Sequence, residues 1–190
     1  MKKTFLLLSA CALFLFACKK DKDNTPVTPA KPYAVNFTFN GTSYKFSGDT
    51  ETAQYLSSYV NRVGGIMFND YTPLPSVALS FYFDHHPTNE EVLGLAGQSI
   101  SFDIDAAPRA DVEFSPADPS EYTWYSADTS ASVYNIHINS VNFVKVDTTI
   151  FNVVDVYQVK GTCNATMVRM GEKAAFTDCS FNMLMSRVKE

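Results

Sequence analysis

Apolar and polar residues alternate with a period of two in short runs along most of this chain, and that period is the tightest constraint on its fold. Ser76–Phe83 reads SVALSFYF, which puts Val77, Leu79, Phe81 and Phe83 on one side of an extended strand. Tyr33–Asn40 reads YAVNFTFN and gathers Val35, Phe37 and Phe39, and Thr42–Ser47 answers with Tyr44 and Phe46. Side chains of a strand point alternately to opposite faces, so such runs make half-buried strands. Asn40-Gly41 between the first two runs is a hairpin signal, because both central residues of a tight hairpin turn need positive φ.

Further strands are expected at Arg62–Asn69, Gln98–Asp103, Val112–Phe114, Glu121–Ser126, Ser132–Val146, Ile150–Lys160, Gly161–Val168 and Lys173–Arg187. Gly64-Gly65 reads as an irregularity such as a bulge. Thr52–Val60 fits a helical or a strand period. One short helix is expected near residues 88–95, capped by Thr88 or Asn89, with Glu90 and Glu91 at its positive end. The connections are too short for helical crossovers, so pairing should be antiparallel. These features predict an all-β chain, an antiparallel β-sandwich with a β-barrel as the alternative, forming a single domain over residues 33–190.

The last hairpin allows a sharper expectation. With Met170-Gly171-Glu172 as a three-residue loop, Arg169 faces Lys173, and counting outward sets Met167 against Ala175, Cys163 against Cys179 and Gly161 against Phe181. Directly opposed residues of an antiparallel pair come close enough for a disulfide, whereas two buried free thiols are the alternative. A one-residue slip would reverse the face and forbid the bond.

The amino terminus is of another kind. Met1-Lys2-Lys3 is followed by an uncharged apolar stretch, Thr4–Ala17, short of the roughly 18 residues a spanning helix needs. Residues 1–17 therefore read as a secretory signal. Leu15-Phe16-Ala17-Cys18 resembles the bacterial lipobox, and the resemblance implies that Cys18 becomes the new, acylated amino terminus and anchors the protein to a lipid bilayer; Leu8-Ser9-Ala10-Cys11 is a competing match. Lys19-Lys20-Asp21-Lys22-Asp23 after that cysteine resembles the envelope lipoproteins of the Bacteroidota, which implies an outer-membrane location, with the surface and periplasmic faces both open. The β segments, from FTFNGTSYKF to the closing GT…TDCSF pattern, are loosely similar to small all-β domains of that group, and this likeness transfers no site. Residues 18–32 read as the lipidated cysteine and a proline-containing tether, since Asn24–Pro32 has three prolines and no core-forming residue but Val27. With Cys11 gone in the signal and Cys18 on lipid, Cys163 and Cys179 are the even pair left for an oxidising compartment.

Charge narrows the partners. The formal net charge is −5, and losing Lys2 and Lys3 with the signal makes it more negative. That balance argues against nucleic acid as a partner.

Chemistry-bearing clusters are few. Asp84-His85-His86 ends the strongest strand and offers two same-side ligands, short of a metal site unless His137 joins them. Asp103, Asp105, Asp111, Glu113, Asp118 and Glu121 read as a solvated acidic edge rather than a calcium loop. Tyr122 and Trp124 share a strand face; exposed, they would stack on a sugar ring or anchor a protein, and buried, they are core. There is no GxSxG, HExxH, P-loop, dinucleotide fingerprint or CxxC, and no catalytic residue, metal ligand or cofactor is assigned. Three readings follow: a lipid-anchored, non-catalytic binding or adhesion module with a glycan or envelope-protein partner; an envelope enzyme such as a metal-dependent hydrolase; or a structural envelope component acting through protein contacts.

Overall fold

The computed structural model describes residues 32–49, 53–56, 59–69, 72–116, 124–130 and 135–189. Cys18, the signal segment and the tether lie outside them. The elements are β1 (Tyr33–Phe39), β2 (Thr42–Gly48), β3 (Ala53–Leu56), β4 (Arg62–Asn69), β5 (Thr72–Tyr82), α1 (Asn89–Leu93), β6 (Ser99–Ser101), β7 (Arg109–Ser115), β8 (Tyr125–Ala127), β9 (Asn135–Thr148), β10 (Val153–Arg169) and β11 (Glu172–Val188).

All strand pairs are antiparallel, as the short connections require. The pairing order is β2-β1-β11-β4-β5-β7-β8-β10-β9-β6, with β3 on β4 and β10 also paired to β11. One layer is therefore β2-β1-β11-β10-β9-β6 and the other β3-β4-β5-β7-β8. The two long strands join the layers at both seams. β11 pairs with β1 over Phe176–Asn182 and meets β4 at Ser186–Gly64, while β10 pairs with β9 over Val153–Cys163 and meets β8 at Met167–Ala127 and Val168–Ser126. The circuit β11-β4-β5-β7-β8-β10 closes on itself, so the fold is a sandwich joined at two corners in the manner of a barrel.

The core lies between the layers. Phe37 and Phe39 of β1 meet Phe114 of β7 at ring-centroid distances of 5.1 and 4.9 Å, and Phe39 meets Tyr125 of β8 at 4.9 Å. Phe37 also stacks on Phe176 at 4.4 Å within its own layer. Val77, Leu79 and Phe81, the alternating residues of the clearest strand, are fully buried.

Turn chemistry matches the first hairpin. Asn40 and Gly41 take φ values of 46° and 79°, the pair of positive angles that a two-residue turn demands. The last hairpin departs from expectation. Its loop is two residues, Met170 and Gly171, at φ 49° and 86°, and Arg169 faces Glu172 rather than Lys173. That register continues through Ala165–Phe176 and then shifts by one. Asp178 takes the extra position at φ 54°, and its N–H donates to Asn164 Oδ1 at 2.9 Å. Beyond the bulge Cys163 faces Cys179 and Gly161 faces Phe181.

Two glycines were misread. Gly161 does not separate two strands: β10 runs unbroken through it, and the position needs glycine because a Cβ there would stand 2.3 Å from His137 O and 2.5 Å from Phe181 Cζ. Gly65 is no bulge. A Cβ on it would stand 2.0 Å from Leu184 O, so the glycine lets β4 close on β11 at the seam.

Candidate functional site

The end of β5 and the start of α1 build one compact polar cluster. Helix α1 begins with a reciprocal cap: Glu91 N–H donates to Thr88 Oγ1 at 3.2 Å, and Glu91 Oε2 accepts from Thr88 N–H at 2.7 Å and from Thr88 Oγ1 at 2.9 Å. The cap fixes the Glu91 carboxylate, whose other oxygen lies 2.9 Å from His85 Nε2. His85 Nδ1 lies 2.5 Å from Asp84 Oδ1. Both ring nitrogens therefore face carboxylates.

The electrostatics follow from that geometry. The hydrogen bond to Asp84, and then the one to Glu91, raises the His85 pKa above its ordinary value. The hydrogen bond from His85 lowers Asp84, and the bonds from Thr88 backbone and hydroxyl lower Glu91. Two carboxylates facing the ring nitrogens stabilise the imidazolium relative to the neutral ring, and the imidazolium in turn stabilises the carboxylates.

Beside this cluster opens a cleft of about 280 Å³. Phe83, Leu95 and Pro108 supply its apolar wall, and Asp84, His85 and Glu91 its polar rim. A second concavity of about 240 Å³ shares Phe83 and Asp84 and extends toward Ile104, Asp105 and Arg109. An apolar wall facing a negative, hydrogen-bonding rim suits a ligand with one apolar face and hydroxyl or ammonium groups on the other.

The histidines do not converge. His86 Nε2 is 2.7 Å from Val188 O, and His137 Nδ1 is 3.0 Å from Ser99 Oγ. Among the described residues, no group of three or more His, Cys, Asp or Glu side chains could hold a metal ion. Of the acidic segment, Asp103 and Asp105 are solvated as expected, Asp118 and Glu121 lie outside the described residues, and Asp111 and Glu113 depart from the expected edge. Asp111 and Glu113 lie on β7, which pairs on both sides, and burial raises the pKa of each. Asp103 and Asp105 follow β6 in a turn, where Asp105 N–H donates to Asp103 Oδ1 at 3.0 Å, and do not project from a strand.

Trp124 is partly buried just ahead of β8, and Tyr122 lies outside the described residues. Its neighbour Tyr125 is the aromatic that packs on the core, with the Arg169 guanidinium 4.9 Å from its ring. The expected disulfide is not formed: Cys163 and Cys179 are opposed as anticipated but stand 3.0 Å apart as two buried free thiols, the alternative reading.

Sequence reading missed the residues that hold the loop. Arg187 Nη2 pairs with Asp155 Oδ2, both buried, and Arg187 Nη1 donates to Pro87 O at 2.5 Å. Tyr157 OH donates to Asn89 Oδ1 at 2.9 Å. Asp155 and Arg187 face each other across the β10–β11 ladder, but at apolar strand positions nothing marks them as partners. Glu91 had a signal, the Thr88-x-x-Glu91 spacing of a capping box.

No family model matches the chain, and neither the curated proteins nor the solved structures yield a match.

Proposed function

We propose that this chain is a lipid-anchored protein of the bacterial cell envelope, at the outer membrane, whose β domain is a non-catalytic binding module. The observation that carries the binding role is the cleft beside His85, with its apolar wall and charged rim. Among the described residues, its lining holds no serine, threonine, cysteine or lysine, and its carboxylates, Asp84 and Glu91, are both engaged by His85. The one histidine is engaged at both nitrogens, which favours the cation and disfavours its use as a base or ligand. A glycan, or the basic side chain of an envelope protein, has the chemistry the rim would accept. The anchor is supported by the Leu15–Cys18 junction and by the tether composition.

A second reading, an envelope metal-dependent hydrolase, has one observation in its favour, that His85 meets two carboxylates in a cleft, and one against it, that among the described residues no such group has the arrangement to hold a metal ion. It requires His85 to be neutral at working pH, against its surroundings.

Purification of the membrane-extracted protein, followed by identification of what accompanies it, separates the readings. Bound glycan or a basic protein segment lost on Asp84→Asn and Glu91→Gln supports the module. A stoichiometric metal lost on His85→Ala supports the hydrolase. Mass spectrometry of the mature amino terminus tests the anchor: an unmodified Cys18, or a Cys18→Ser protein still held in the bilayer, overturns it.

A further inference from the structure

We infer that the turn between β9 and β10 is a membrane-contacting tip, inserting Ile150 and Phe151 into the acyl-chain boundary of the bilayer that holds Cys18. Ile150 is 93% and Phe151 85% exposed. A hydrogen-bonded turn presents them: Thr149 N–H donates to Asn152 O at 2.8 Å, and Asn152 N–H donates to Thr149 Oγ1 at 3.0 Å. From Thr148 to Val153 the sequence carries no charge, and the nearest acid, Asp147, is paired with Lys145. Below the tip, Phe143, Val144, Val146 and Val153 are also exposed, on the stretch of the β9–β10 ladder beyond Asn135–His137, where β9 pairs with β6. Other tight turns differ. Asn40-Gly41 is polar, and Met170-Gly171 is flanked by Arg169, Glu172 and Lys173.

Topology places this tip on the side of the domain from which Pro32 enters β1. Ala34 pairs with Asn182, which pairs with Lys160. β1 runs from that level away from the β9–β10 turn, so the chain reaches Tyr33 from the side on which the turn lies. Phe151, in the turn that precedes β10, stands nine residues before Lys160, or roughly 25–30 Å at strand spacing. The fourteen residues from Lys19 to Pro32 span about 43 Å if fully extended in polyproline form and about 20 Å as a coil. The tip therefore reaches the headgroups before the tether is taut. Two apolar side chains are too few to hold a protein on a membrane, as one acyl chain already binds only marginally. They act once the anchor supplies a high local concentration of lipid, and they orient the domain. A second copy of the chain is the weaker occupant, since stable interfaces bury about 800 Å² per partner and this tip is narrow.

The inference rests on the anchor proposed at Cys18, and its test separates the two. The chain from Cys18 to Glu190 is coupled through Cys18 to a maleimide phospholipid in phosphatidylcholine vesicles, part of whose acyl chains are brominated; the buried Cys163 and Cys179 do not compete. This supplies an anchor whether or not cells acylate Cys18. A tryptophan is introduced as Phe151→Trp or, at the opposite end, as Met170→Trp, in a Trp124→Phe background. Should that background fail to fold, the unaltered Trp124 signal is subtracted instead. Loss of most emission at position 151, with emission at 170 unchanged, is expected. Equal quenching at both positions, or none at 151, overturns the inference. So does concentration-dependent dimerisation, measured by sedimentation and abolished by Phe151→Asp, without quenching at 151.

Discussion

Cys163 and Cys179 face each other across the β10–β11 ladder because Asp178 stands out of register between them and the turn. The two-residue turn alone would set Cys163 against Asp178. One bulge residue moves the pairing on by one and brings the two cysteines onto the same buried face. An aspartate tolerates the left-handed backbone better than most residues, and the bond to Asn164 fills its N–H.

The pair is expected to close to a disulfide in an oxidising compartment. Its loop is close to 15 residues, so oxidation should add about 3 kcal/mol. Denaturant titration with and without a reductant, alongside a free-thiol count, checks both statements. In the reduced protein, burial raises the Cys163 thiol well above its ordinary 9.0. The unfolded chain then loses that proton first as pH rises. Stability should hold below about pH 9 and fall above it in the reduced protein, with no such fall in the oxidised one.

Asp178 itself should be sensitive to the shape of its replacement. Valine at φ 54° is expected to cost about 1–2 kcal/mol, while Asp178→Gly should be close to neutral. Equal losses for the two, measured by chemical denaturation, would show that the side chain and not the backbone sets the bulge.

His85 should titrate above its ordinary value of 6.5. A histidine whose folded pKa is raised stabilises the fold below that ordinary value, and the contribution is lost as pH rises through the folded one. Asp84 and Glu91 have the opposite sign: their contributions are present above 3.8 and 4.5, and are lost as pH falls through their lowered values. All three therefore act together between pH 4.5 and 6.5. An NMR titration of the His85 ring should show the raised midpoint and its partial return in Asp84→Asn and in Glu91→Gln. A midpoint indifferent to both substitutions would mean that the cluster does not form in solution.

The all-β class, the first hairpin and the placement of Val77, Leu79 and Phe81 in the core were legible because period-two alternation is a local signal. The opposition of Cys163 and Cys179 was reached through a loop one residue too long, and the bulge at Asp178 cancelled that error. Gly65 and Gly161 were misread because what they accommodate, the Leu184 carbonyl and the Phe181 ring, comes from strands far away in sequence. His85 was visible as a candidate, but its distance to Glu91 was not, since the loop from β5 to α1 is folded back by contacts with β10 and β11.

Gly65→Ala tests the seam between the layers. The added Cβ would meet the backbone oxygen of Leu184 at 2.0 Å, which cannot rotate away as a side chain can. Overpacking of this kind costs about 1–3 kcal/mol. The loss should fall at the upper end of that range, because the Leu184 carbonyl lies two residues from Ser186, the β11 residue that pairs with Gly64. A near-neutral Gly65→Ala in urea titration would mean that the circuit is open at this corner.

The ion pair of Asp155 and Arg187 should behave as a buried pair. Both side chains are about nine-tenths buried, so removing one strands the other charge. Asp155→Ala is expected to cost about 3–5 kcal/mol. Replacing both with apolar residues of similar volume, as in Asp155→Leu with Arg187→Met, should cost clearly less, because no unpaired charge is left. The bond from Arg187 to Pro87 O is lost with Arg187→Met, which loosens the loop carrying His85. The double variant should therefore recover stability relative to Asp155→Ala while the His85 titration drifts back toward 6.5. Urea denaturation and the ring titration, run on the same three proteins, read the two effects separately. A double variant no more stable than Asp155→Ala would show that the pair is held by more than its charges.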